Sequence, residues 1–151
     1  MDSRALGRGF GWGAAATVAM SVLMLLGVAT GLSPTPKPIP AAIVGKLTDG
    51  GLPKPALMTL AVVLHFGYGA FWGGALAALV RKATIGRGLL LGVGLWLIMQ
   101  LLVLPWLGWG AFGAGRTPKI AVATLVLHLV YGAVLGWGLA RAARTVPAGA
   151  S

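Results

Sequence analysis

Both histidines of this chain occur in one repeated phrase. Residues 64–73 read LHFGYGAFWG and residues 127–136 read LHLVYGAVLG, which places His65 and His128 in the same LHxxYGAxxG pattern 63 positions apart. A neutral imidazole offers one lone pair and one N–H, so it can ligate a metal, accept or donate a hydrogen bond, or move a proton. The partners for most of that chemistry are missing. Asp2 and Asp49 are the only acids, and both fall outside the apolar runs. No carboxylate pair exists for general acid–base work, no Ser–His–Asp set sits at the depth of the histidines, and no carboxylate cage can hold a hard cation. With no cysteine, thiol catalysis and iron–sulfur ligation are excluded. The sequence therefore offers no catalytic set and no metal cluster, and a non-enzymatic protein is expected.

The histidines must be positioned by membrane-spanning helices. Of 151 residues, 58% are hydrophobic and only 9% charged, against about 25% charged in soluble domains. Four apolar runs are each long enough to cross about 30 Å of hydrocarbon, with spans expected at about 9–32, 56–80, 87–107 and 119–140. Residues 10–32 are longer than a signal-peptide core and have a counterpart in the third span, so the first helix is expected to be retained. The segment 33–55 is a Pro-rich outer loop, in which Pro34, Pro36, Pro38 and Pro40 forbid a continuous helix. Ala41–Leu47 can form a short interfacial helix before Asp49, Gly50 and Gly51 turn the chain. Trp106 and Trp109 are expected at the outer interface, Trp12 and Trp137 near the inner one, and Trp72 and Trp96 in packing within the spans.

The net charge of +10 reflects basic residues at helix ends, where they set topology and meet anionic lipid, and no nucleic-acid partner is expected. Arg4, Arg8, Arg81, Lys82, Arg87, Arg141 and Arg144 lie on one side, and Lys37, Lys46, Lys54, Arg116 and Lys119 on the other. The compact basic loop between spans two and three puts both termini in the cytoplasm.

The repeat extends beyond the histidines. Pro55 matches Pro118, Gly7-Arg8-Gly9 matches Gly86-Arg87-Gly88, Gly13 matches Gly92, and Met20 matches Met99. The fold class expected is all-α: a polytopic membrane four-helix bundle, one domain over residues 1–151, made of two parallel-repeat helical hairpins. Each span also carries a GxxxG strip: Gly9/Gly13, Gly69/Gly73, Gly88/Gly92 and Gly132/Gly136. Small residues four apart let helix backbones approach in lipid, and surplus strips would serve a homo-oligomer or a larger membrane complex.

Counting about 1.5 Å per residue from the span ends, Ser21, His65, Gln100 and His128 fall at a similar depth, one polar residue per helix. As interhelical glue such a layer contributes about 0.6–2 kcal/mol per hydrogen bond. The alternative is a b-type haem held by His65 and His128, with Gly69 and Gly132 making room for the macrocycle and Lys54, Arg116 or Lys119 meeting its propionates. A chlorophyll-type pigment or a soft metal would use the same pair. A third reading is a small-solute or ion pathway formed by an oligomer. Packing chemistry alone favours a structural or accessory membrane subunit.

The stretches Trp96–Pro105, Gly108–Gly113 and Thr124–Gly136, with Ala16–Ser21 and Leu64–Phe66, resemble a family of small bacterial four-span membrane proteins of unknown function, the DUF6789 type. They are more distantly similar to the YagU-like inner-membrane proteins. The resemblance covers most of the chain, with the proline-rich loop its loosest part. It implies the four-span fold and a bacterial inner-membrane location, and it carries over no catalytic residue.

Overall fold

The computed structural model describes residues 3–80 and 82–144; Asp2 and Arg81 lie outside the described residues. Four helices are long and apolar enough to cross a membrane: α1 (Ser3–Ala29), α3 (Lys54–Leu79), α4 (Ile85–Trp106) and α5 (Lys119–Arg144). A short α2 (Ile39–Leu47) precedes α3. The protein is an all-α bundle of membrane-spanning helices.

Helix ends differ from the apolar boundaries where local chemistry overrides hydropathy. At its start α1 runs back to Ser3, and at its end α5 runs on to Arg144, since nothing in those polar turns breaks a helix. At the other end of α1, Gly31 takes a positive φ of 72°. Its N–H bonds to the Val28 carbonyl at 3.2 Å, and Ser33 N–H bonds to Gly27 at 2.9 Å. A left-handed residue after a helix satisfies the last carbonyls in this way, and glycine bears it without strain. The span therefore stops at Ala29, short of the Leu32 that its apolar run reaches. The loop helix begins at Ile39, two residues before Ala41, because Pro40 fits the first turn, whose N–H groups have no partner within the helix.

In α4, residues Met99–Val103 form a π-turn, with the Leu104 N–H reaching back to the Met99 carbonyl. Pro105 sits just beyond. It has no N–H to offer and its ring crowds the carbonyl four residues earlier, and a wider turn relieves that conflict. The equivalent stretch of α1, Met20–Met24, is regular α-helix.

The packing divides the molecule across its middle. In the half that carries the termini, the glycine strips meet within each hairpin. A Cβ on Gly9 would lie 2.8 Å from the Cα of Gly74, one on Gly73 2.6 Å from the Cα of Gly13, and one on Gly13 2.9 Å from the Cα of Ala70. In the second hairpin, a Cβ on Gly88 would lie 2.9 Å from Gly136, and one on Gly132 3.1 Å from the Cα of Leu89. Such approach gives dispersion contact between backbones, the main cohesion available in lipid.

Gly92 departs from the strip pattern expected of it. A Cβ there would strike the carbonyl oxygen of His128 and lie 3.2 Å from its carbonyl carbon, while the nearest strip glycine, Gly132, is 3.6 Å away. Gly92 still packs against the backbone of α5, but at the histidine-bearing turn. Its counterpart Gly13 still faces the backbone of Gly69 and Ala70. Ala16, Leu76, Leu95, Tyr131, Leu135 and Leu139 form one buried cluster in this half, where α1 and α5 join the hairpins.

In the opposite half, which carries the long loops, the helices diverge and α2 crosses above them. Ala42 packs with Leu104, Trp109 and Ile120 from the second hairpin, while Ala41 and Val44 pack with Ala61 of the first. Trp109 is thereby buried in this roof. Trp106 stays exposed, with the Lys46 ammonium 5.6 Å from its ring centroid.

Candidate functional site

Between the diverging halves of the spans lies a cavity of about 1280 Å³. All four spans and the roof line it, and its walls include repeat-matched pairs: Met20 with Met99, Leu64 with Leu127, and His65 with His128. The two imidazoles thus enter one space from α3 and α5. No charged side chain lines the cavity. Thr30, Ser33 and Thr35 supply hydroxyls at its loop end, and Ser33 and Thr35 share a hydrogen bond of 2.9 Å.

His128 is buried, and its Nδ1–H donates to the Thr124 carbonyl at 2.7 Å. The hydrogen is fixed on Nδ1, because a carbonyl can only accept. In the neutral ring, Nε2 then carries the lone pair. A metal-binding histidine is commonly oriented by this kind of bond from its other nitrogen. Thr124 is itself held in place: its hydroxyl donates to the Ile120 carbonyl at 2.6 Å and accepts from Gln100 Nε2 at 2.8 Å. Gln100 is fully buried in the π-turn of α4. Below them Gly92 admits the His128 carbonyl, so the backbone of the histidine turn is braced from α4 as well.

The first hairpin has no such set. Ala61 stands where Thr124 stands in the second. His65 Nε2 is buried and has no hydrogen-bond partner, and neither does Ser21 Oγ. Gln100 Oε1 and Trp72 Nε1 are likewise without partners. The four polar residues placed at one depth by counting therefore divide. His65 and His128 border the cavity, with His65 Nε2 turned away from its open space, Gln100 turns to Thr124, and Ser21 is not part of the lining.

Two other sequence expectations change. Gly69 and Gly132 do not border the cavity. A Cβ on Gly69 would strike the Thr17 hydroxyl, and one on Gly132 would lie 2.8 Å from the carbonyl carbon of Gly88. They make room for neighbouring helices, and Gly27 and Gly67 are the glycines of the cavity wall. Lys54, Arg116 and Lys119 also lie away from the lining, so the hydroxyls of Thr30, Ser33 and Thr35 occupy the place proposed for them. The side chain that sequence reasoning missed is Thr124. Its signal was present: a hydroxyl residue four before one histidine, with alanine four before the other.

Between the hairpins, the Tyr131 hydroxyl donates to the Gly69 carbonyl at 2.6 Å. The matched Tyr68 lines the cavity and is exposed. Trp96 Nε1 donates to the Ala121 carbonyl at 3.0 Å, a packing role.

Neither a curated protein nor a solved structure matches the chain. A family model described as a family of unknown function, DUF6789, matches residues 3–148, and the chain belongs to that family.

Proposed function

We propose that this protein is a non-enzymatic, ligand-holding protein of the bacterial inner membrane, with both termini cytoplasmic. Its cavity takes an apolar molecule from the bilayer and presents two imidazoles to it. The observation that carries this reading is that both histidines line one cavity although they come from different hairpins. Pockets for drug-sized ligands are about 300–1,000 Å³ and mostly apolar, with a few polar groups that set orientation. A volume of about 1280 Å³ lined mainly by Leu, Ile, Val and Met, with two histidines, has that character. Leu23, Leu26, Leu64 and Phe71 are both exposed and part of the lining, which supports entry from the hydrocarbon.

The glycine strips point away from self-association as the main role, because each is already spent on its neighbour within the hairpin. A transmembrane pathway has equally little support: below the histidines the buried Leu and Tyr cluster fills the space between the helices.

The test is to purify the protein from membranes in mild detergent, extract it with organic solvent and identify what leaves with it by mass spectrometry. We expect a stoichiometric apolar compound, reduced at least tenfold in Leu64→Trp plus Leu127→Trp, which fills the cavity from both hairpins. Recovery of the same lipid mixture from both proteins would reject the reading.

A further inference from the structure

We infer that the occupant is a neutral lipid alcohol whose hydroxyl donates to His128 Nε2; this rests on the ligand-holding reading above. His128 lines the cavity and is more than nine-tenths enclosed, with 8% of its surface accessible. Its Nδ1–H is committed to the Thr124 carbonyl. No carboxylate lies within the spans to balance an imidazolium, and an unpaired charge is costly in lipid, so the ring is neutral. Nε2 then holds a lone pair and no proton. No described residue donates to it, and unlike the enclosed His65 Nε2 it keeps accessible surface. Only a donor from outside the chain can satisfy it.

A second fixed acceptor stands at the loop end. Thr30 lines the cavity, and its hydroxyl donates to the Leu26 carbonyl at 2.8 Å, which leaves only lone pairs for a ligand. The hydroxyls of Tyr68 and of the Ser33–Thr35 pair can still donate or accept, so they do not discriminate. The two groups whose roles the fold has fixed both ask for a donor. A quinone, an ester or an ether offers oxygen lone pairs alone and would leave His128 Nε2 bare.

Charge narrows the class further. No charged side chain lines the cavity, so an ionised phosphate or carboxylate head would be enclosed there without a counter-charge. A phospholipid whose chains alone enter would bring no donor to His128. A hydroxyl head supplies one donor and no charge. The body of the molecule must be apolar, since Leu, Ile, Val and Met make up most of the wall, and Leu23, Leu26, Leu64 and Phe71 open it to the hydrocarbon. His128 lies well inside α5 (Lys119–Arg144). The site therefore holds a small polar head below the membrane surface, away from water.

The experiment loads the purified protein, after detergent exchange, with oleyl alcohol, its methyl ether or dioleoyl phosphatidylcholine. Excess is removed by gel filtration, and the ligand retained per chain is counted by mass spectrometry. We expect stoichiometric retention of the alcohol, with the ether about fivefold lower and the phospholipid no higher than the ether. His128→Phe keeps a ring in place and should bring alcohol and ether to the same level while circular dichroism stays helical. Equal retention of alcohol and ether, or of alcohol and phospholipid, by the wild-type protein overturns the assignment, and that comparison needs no variant. So does an unchanged preference for the alcohol in folded His128→Phe. If all three are retained equally and Leu64→Trp plus Leu127→Trp expels them, the ligand-holding reading stands without this head group. If the wild-type protein retains none of them and its extract is empty, both readings fall.

Discussion

The two hairpins share a layout but treat their polar residues differently. In the second, Gln100, Thr124 and His128 form a connected set ending on backbone carbonyls of α5. In the first, Ser21 Oγ and His65 Nε2 are buried without partners. Lipid makes this contrast consequential, because no water is at hand to satisfy an orphaned group. The result is one imidazole tied to a carbonyl of its own helix and another whose Nε2 is buried without a partner.

The contacts in the half that carries the termini are where the hairpins agree, so the largest effects should be equal there. Gly73→Leu and Gly136→Leu each force a side chain into a neighbouring backbone. Both should cost about 3 kcal/mol or more, measured as loss of folded monomer on titration with denaturing detergent. If only one does so, the shared packing is not the common frame of the two hairpins. The polar sets should then separate them. Thr124→Val strands the Gln100 amide N–H and should cost about 1–3 kcal/mol in the same assay. Ser21→Ala removes an atom that bonds to nothing and should be neutral or slightly stabilising. Equal losses at both sites would erase the distinction. The smallest effect expected is at the tyrosines. Tyr131→Phe loses the bond to Gly69 and should cost about 0.6–1.7 kcal/mol, while Tyr68→Phe should change stability by less than that.

Much of this was legible in the residues. Hydropathy located four spans because only a long apolar helix can satisfy its own backbone in lipid. The repeated phrase singled out His65 and His128 because an intramembrane ionisable residue is rare enough to stand out. Depth counting is silent on which way each residue faces. It treats a helix as a straight ruler, and the π-turn at Met99–Val103 turns Gln100 toward Thr124 and leaves Met99 on the cavity wall. The room expected for a macrocycle beside Gly69 and Gly132 is taken by neighbouring helices. A glycine's place on its own helix does not fix which neighbour covers that face, and here Thr17 and Gly88 do. The roof was hidden altogether, since a nine-residue helix in a proline-rich loop carries no sequence mark of the partners it will meet.

That roof has a consequence for biogenesis. Its helix, α2, is made early, directly after the first span, but it rests on Trp109 and Ile120, which are made late. Chains are synthesised from the N-terminus at about 5–20 residues per second. The first hairpin therefore waits in the bilayer, with His65 exposed to lipid on one side, until α5 arrives. The cover closes only when the last span is in place.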